Sequence, residues 1–219
     1  GNDPCSRLRA EMLDRLVANE LQADLGSAVI GREIIVLEQT GSTNDAILQV
    51  ANADPKEGLV VFAEHQTAGR GQRGNRWESA TGKGLWFSIL LRPDIDLASS
   101  PRLTAWAAEA ISLAIQTEFS LTPTIKLPND VQIDGRKVAG VLVEMRAQQN
   151  APHFAIAGIG VNVNQSSEDF PKELQSRAIS LAMALGKQVA RQNFAIALLR
   201  TLDRTYSARF ASLGQRLQS

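Results

Sequence analysis

The sequence predicts an α/β fold of the α+β kind, a mixed β-sheet flanked by helices, built mainly as one domain. Three observations carry this. Short apolar, β-branched runs alternate with long segments of helical spacing. A hairpin signal, Asp134-Gly135 between two apolar runs, breaks any pure strand–helix–strand rhythm. Hydrophobic residues make up 44% of the 219, enough to bury a sizeable core.

The elements follow in order. Residues 3–25 read as an amphipathic helix, with Asp3-Pro4 at its start, Leu8, Met12 and Leu16 in step, and Gly26 at its end. EIIVLEQT, 33–40, is a strand, and Ser42, Thr43 or Asn44 in the following GSTN would cap a short helix. GLVVFAEHQ, 58–66, is a second strand. GLWFSILLRP, 84–93, is a third, stopped by Pro93. Leu103, Ala107, Ile111, Ile115 and Phe119 mark a buried helix face. Residues 122–145 read as strand, turn and hairpin, and 154–164 as a further strand. Phe194, Leu198, Leu202, Tyr206 and Phe210 line a last helix over 193–210. The expected division is an N-terminal helical segment at 1–32, the main domain at 33–213 and a tail at 214–219.

Composition narrows the function. Lys plus Arg and Asp plus Glu number 23 each, which argues against a chain whose main task is gripping nucleic acid. One cysteine, Cys5, rules out a disulfide within the chain and favours a reducing cytoplasm. With His65 and His153 the only histidines, a thiolate or histidine zinc site is not expected. No apolar run is long enough for a membrane span.

Four stretches hold candidate chemistry. GRGQRGNRW, 69–77, carries three glycines and three arginines. Glycines let backbone N–H groups approach an anion, and Arg70, Arg73 and Arg76 are permanently charged planar donors. Trp77 offers a flat face for a base. Residues 66–92 hold five basic residues and one acidic one, so a neutral chain carries a local positive field. A solvated loop, or an RNA contact, would share this composition. In KLPNDVQIDGRKVAG the residues Lys126, Asn129 and Asp130 gather at a turn, to which the hairpin returns Lys137. That set suits a nucleotide with Mg²⁺, although a surface hairpin with ordinary charges would look similar. In GIGVNVN, Gly158 and Gly160 interrupt an apolar strand, a sign that a ligand or another backbone approaches closely. Asn162 and Asn164 are expected to point outward from one face, to bond a base or phosphate or simply to form turns. GSTN itself is a donor cluster or only a helix cap.

Taken together and in this order, STN at 42–44, Q-x-A-G-R-G-Q-R-G-x-x-W at 66–77, K-x-P-N-D…G-R-K-V-A-G-V-L-V-E at 126–144 and G-I-G-V-N-V-N at 158–164 resemble the catalytic domain of the biotin protein ligases. The likeness spans roughly 34–210. It implies a sheet with flanking helices related to the class II aminoacyl-tRNA synthetases. It implies ATP, Mg²⁺ and biotin as substrates and metal, with biotinyl-5′-AMP formed first. Biotin then passes to a lysine of a biotin carboxyl carrier protein of acetyl-CoA carboxylase. By resemblance, Arg70 and Lys137 are the catalytic charges around carboxylate and α-phosphate. Ser42, Thr43, Asn44, Gln66, Gly71, Gln72 and Gly140, with Arg70 and Lys137, would bind biotin. Arg73, Trp77, Lys126, Asn129 and Asn162 would hold ATP, and Asp130 would touch Mg²⁺.

Two positions depart from the family pattern: Leu127 stands where a tryptophan is usual, and Asn75 where many members carry arginine. Residues 1–32 are too short for the helix-turn-helix repressor domain of bifunctional members, and 214–219 show no strand pattern. A ligase without DNA-binding function, without the small C-terminal β domain, cytoplasmic, and monomeric or homodimeric is the expectation. The rival within the fold is a lipoate or octanoate ligase or transferase. A relative that binds biotin without ligating it is the other alternative. The loop's polar, glycine-rich composition predicts that it orders around its ligand.

Overall fold

The computed structural model describes residues 14–26, 29–51, 56–148 and 151–210. Seven strands form one mixed sheet: β1 (Glu33–Thr40), β2 (Leu59–Gln66), β3 (Gly84–Leu91), β4 (Thr124–Lys126), β5 (Asp130–Ile133), β6 (Arg136–Gln148) and β7 (Ala151–Asn162), in the order β1-β2-β3-β7-β6-β5-β4. Only β1 and β2 run parallel, with α2 (Thr43–Ala51) as their crossover; the other neighbours are antiparallel. The remaining helices are α1 (Ala18–Leu25), α3 (Ser100–Phe119), a one-turn α4 (Leu181–Leu185) and α5 (Arg191–Phe210).

Successive side chains of a strand face opposite sides of the sheet. Leu85, Phe87, Ile89 and Leu91 of β3, with Ala155, Ala157, Ile159 and Val161 of β7, turn towards α3 and α5 and form the main core. The opposite face is less covered. There α2 packs Ala46 and Ile47 on Val61, Leu90 and Ile156. Continuing that face along the strands gives Ser88, Gly158, Gly160 and Gly140, small residues beside α2 that leave room for a site.

The helix expected over 3–25 holds in part. Residues 3–13 lie outside the described residues. Ala18–Leu25 is helical and ends at Gly26 with φ 53°. Asp14 to Val17 is not helical, because tertiary bonds claim it. Leu16 N–H donates to Glu64 Oε1 at 3.0 Å, and Asp14 accepts from the backbone N–H and Nε of Arg191 at 2.9 and 3.1 Å. Arg191 is 2% exposed and also donates to Glu64 Oε2 at 2.8 Å and the Gly84 carbonyl at 3.0 Å, so one guanidinium joins residue 14, β2, β3 and the start of α5.

Asp134 and Gly135 have φ of 51° and 72°, the doubly left-handed pair that a type I′ hairpin requires. The preceding turn differs by one residue from expectation: it is made by Leu127 to Asn129, and Asp130 already pairs across from Lys126 in β5.

Candidate active site

The glycine-arginine loop leaves β2 and crosses the uncovered sheet face. Its hydrogen bonds close on itself: Gly71 N–H to the Asn75 carbonyl at 2.7 Å, Asn75 N–H to the Gln72 carbonyl at 3.1 Å, Trp77 N–H to the Gly69 carbonyl at 2.9 Å. This folds the tip into a tight turn, with Arg73 and Gly74 at φ 57° and 76°. Trp77 at the loop's base lies on the sheet over the paired glycines of β6 and β7. A Cβ on Gly160 would meet its Cε2 at 2.6 Å, and one on Gly140 its Cζ3 at 2.8 Å. A Cβ on Gly158 would stand 2.3 Å from Asn44 Oδ1. The strand glycines are therefore explained by side chains seated on them, rather than by a backbone, as the sequence reading had also allowed.

Two adjoining cavities result. The inner one is small and is bounded by Ser42, Thr43, Asn44, Gln66, Arg70, Gly71 and Lys137 among others. The outer one, about 1140 Å³ and wide open, is bounded by Trp77, Lys126, Asp130, Lys137, Asn162, Phe170 and Arg177 among others. Trp77 and Lys137 line both. The lysine lies 5.1 Å from the Trp77 ring centroid and 2.7 Å from Asp130 Oδ1.

The polar groups of the inner cavity form one chain. Gln66 Oε1 accepts from the Thr43 N–H at 2.8 Å and hydroxyl at 3.2 Å. The Ser88 hydroxyl lies 2.8 Å from Thr43 Oγ1 and 2.6 Å from Asn44 Oδ1. Asn44 Nδ2 donates to Glu144 Oε2 at 2.8 Å, which also accepts from Arg70 NH2 at 3.2 Å. Arg70 NH1 reaches both oxygens of Asp45, at 2.9 and 2.8 Å. Partial burial works against the Arg70 charge, but Asp45 and Glu144 outweigh it and raise the guanidinium pKa above its ordinary value. The Trp77 indole N–H is buried and has no hydrogen-bond partner among the described residues.

Most of the expected site residues meet here. Ser42, Thr43, Asn44, Gln66, Arg70, Gly71, Lys137 and Gly140 line the inner cavity, joined by Asn129. Lys126, Asp130 and Asn162 border the outer one. Gln72 and Arg73 line neither; they sit in the turn at the loop tip. Asn129 supports the hairpin, its Nδ2 donating to the Val141 carbonyl at 3.3 Å.

The expectation that Asn162 and Asn164 point outward is corrected. Both are buried. Asn162 donates to the Ile179 carbonyl at 3.2 Å, and Asn164 exchanges bonds with Val189 at 2.8 and 2.9 Å, past the end of β7. Sequence reasoning missed Ser88, Asp45 and Glu144. A hydroxyl in a wholly buried strand was the available signal for Ser88, because such a group requires a partner. The carboxylates carried no signal of their own.

The chain is similar to known proteins. Residues 36–162 match the model of the biotin/lipoate A/B protein ligase family. The chain is 38% identical over 192 residues to the bifunctional ligase/repressor BirA of Bacillus spizizenii, covering 88% of this chain and 59% of that protein. It is 34% identical over 208 residues to a biotin–[acetyl-CoA-carboxylase] ligase of Mycobacterium tuberculosis, covering 90% and 71%. Thus the chain spans 59% of the length of the Bacillus relative. The structure of biotin protein ligase from Aquifex aeolicus in complex with biotin and ATP is similar with a TM-score of 0.66 and 30% identity, over 78% of this chain and 69% of that one. That likeness is in the mixed sheet with flanking helices described above. Because the matched segment exceeds half of its length, the chain belongs to the biotin/lipoate A/B protein ligase family.

Proposed function

We propose that this protein is an ATP-dependent biotin ligase. It joins biotin to AMP as biotinyl-5′-AMP and passes the biotinyl group to a lysine of a biotin carboxyl carrier protein. The observation that carries the reading is the pair of cavities meeting at Trp77 and Lys137, the inner one presenting the uncharged hydrogen-bonding groups of Ser42, Thr43, Asn44 and Gln66 and the outer one lined by Lys126, Asp130 and Arg177.

Biotin suits the inner cavity. Its ureido ring presents N–H donors and a carbonyl acceptor, which Ser42, Thr43, Asn44 and Gln66 would satisfy. The dithiolane of lipoate offers neither donors nor a carbonyl acceptor to those groups. The acid's carboxylate would then lie near Lys137, where the cavities join. ATP suits the outer cavity, with Trp77 available to stack and Lys126 to meet phosphate; Lys126 makes no ion pair among the described residues.

In the proposed reaction a carboxylate oxygen attacks the α-phosphorus and the bond to the β-phosphate breaks, releasing pyrophosphate. Both partners are anions, so the protein's contribution is fixed positive charge and alignment. The acceptor lysine, as free amine, then attacks the acyl carbon, AMP leaves and the amine loses its proton. No nucleophile on this chain is required. Among the described residues there is no cluster of three or more His, Cys, Asp or Glu side chains for a metal. Mg²⁺ carried on ATP phosphates needs as little as one carboxylate, and Asp130 is the residue proposed to meet it. The ion would neutralise phosphate charge.

No helix among the described residues is long and apolar enough to cross a membrane. A cytoplasmic ligase acting without nucleic acid fits the neutral charge balance.

The test is pyrophosphate release from ATP with biotin, with lipoate as control and no acceptor present. Release with biotin alone is expected. Release with lipoate alone would overturn the reading of the inner cavity, and silence with both would remove the activity.

A further inference from the structure

The glycine-arginine loop is tied to the rest of the protein at few points. Among the described residues, its backbone bonds between residues 69 and 77 are internal, and Arg76 reaches only the neighbouring Thr67 carbonyl and Glu78. Apart from the Trp77 ring, the link from this loop to distant parts of the fold, among the described residues, is Arg70. It binds Asp45 on α2 and Glu144 on β6. Arg146 also reaches Glu144, its NH2 lying 3.5 Å from Oε1, so two guanidinium groups face two carboxylates and Arg70 brings no excess positive charge to the cavity.

We propose that Asp45 and Glu144 are positioning residues, which hold Arg70 as the bracket of the loop over the inner cavity. This rests on the biotin-ligase reading. Glu144 has a second duty. The oxygen that accepts from Arg70 also accepts from Asn44 Nδ2. Asn44 is 3% exposed and held at its other end by Ser88. One carboxylate oxygen thus joins the amide that would recognise the ring to the loop that would close on the carboxylate. A ring seated on Asn44 meets a loop already set at the right height, and a misplaced Asn44 would be felt at Arg70.

The test uses the whole chain with Asp45→Asn, Glu144→Gln and Arg70→Gln. Amide hydrogen exchange reads the loop without any ligand. Each variant is expected to speed exchange of residues 69–77 about tenfold, with β2 and β3 unchanged. Arg70→Gln added to the Asp45→Asn, Glu144→Gln double variant should change exchange by less than about twofold more, since that pair already removes both of its ionic partners. Steady-state pyrophosphate release reads the consequence. In Glu144→Gln the amide oxygen still accepts from Asn44, so ring recognition survives while the ion pair is lost. KM for biotin should rise about tenfold, with kcat within about threefold of wild type. Loop exchange that stays at the wild-type rate in Asp45→Asn and Glu144→Gln would overturn the bracket. So would exchange that rises equally across the strands, the mark of a general loss of stability. A wild-type chain that makes no pyrophosphate would sink the ligase reading, while the exchange data would still decide the bracket.

Discussion

Gly158→Ala tests the inner cavity with a single methyl group. Gly158 lies on β7 under the Asn44 amide, and its new Cβ would stand 2.3 Å from Oδ1. Real Cβ contacts essentially do not fall below 3.0 Å, so Asn44 must retreat by at least 0.7 Å, the difference of the two distances. Two bonds fix the amide, from Ser88 at 2.6 Å and to Glu144 at 2.8 Å, and a shift of that size spoils both. A neutral bond contributes about 1 kcal/mol and a charge-assisted one about 1.5–3 kcal/mol. Glu144 keeps 26% of its side chain exposed, so the lower end applies and the expected loss of stability is about 2–3 kcal/mol. That corresponds to a fall in Tm of about 4–12 °C for a chain of this size. Biotin affinity should fall further, about 10- to 100-fold, because the displaced amide is a proposed ring contact. Urea midpoints and calorimetric titration with biotin measure the two effects. A variant that binds biotin within about twofold of wild type would refute the placement of the ring on Asn44.

Lys137→Met should lower pyrophosphate release about 10²- to 10³-fold while leaving Tm nearly unchanged, since its pair with Asp130 is partly exposed; a variant with normal turnover would exclude Lys137 from the chemistry. Arg191→Met strips the cation from Glu64, which is 5% exposed, and should cost about 3–5 kcal/mol by denaturant titration; a loss below about 1 kcal/mol would show that water replaces the guanidinium. Asp169 gives a pH prediction. Burial alone would raise its carboxyl, but Lys83 at 2.7 Å and the Ser166 amide and hydroxyl outweigh burial and hold it below the ordinary value. A depressed folded pKa means stability that is present above the unfolded pKa of about 3.9 and lost as pH falls through the folded one. The wild type should therefore exceed Asp169→Asn in urea midpoint at pH 6, with the gap closing as the solution is acidified below pH 4; a gap that persists at pH 2 would refute it.

The sequence was most legible where one local rule decided the outcome. The left-handed pair at 134–135 admits one kind of turn, and the apolar runs of β2 and β3 lie in the sheet at nearly their expected bounds. It was least legible where distant partners decide. Asp14 to Val17 carries helical spacing, yet Arg191 and Glu64 draw the segment out of the helix. Asn164 looks like an outward strand residue until Val189 satisfies both ends of its amide. The one-turn α4 went unread although Ser180 caps it and Gly186 ends it at φ 68°, because five residues are too few to show a period. The motifs identified most residues of the inner cavity and part of the outer one, but not the wall made by Phe170, Leu174, Arg177 and Ala178. They did not give the orientation of those side chains, because Ser88, Asp45 and Glu144, which set it, lie outside the most distinctive stretches or look ordinary within them.

The polar chain of the inner cavity joins residues far apart in sequence: Asn44 and Glu144 are separated by 100 positions, Thr43 and Ser88 by 45. No single element of the fold holds both ends of such a bond, so an isolated hairpin or helix has no partial affinity to offer. A ligand seated there binds the fully assembled sheet and nothing less, and the free energy of its binding adds in full to the free energy of folding. At a concentration one hundred times its Kd, such a ligand contributes about 2.7 kcal/mol to the stability of the native state. The cell's supply of that small molecule would then set how long each copy of the protein survives, as well as how fast it works.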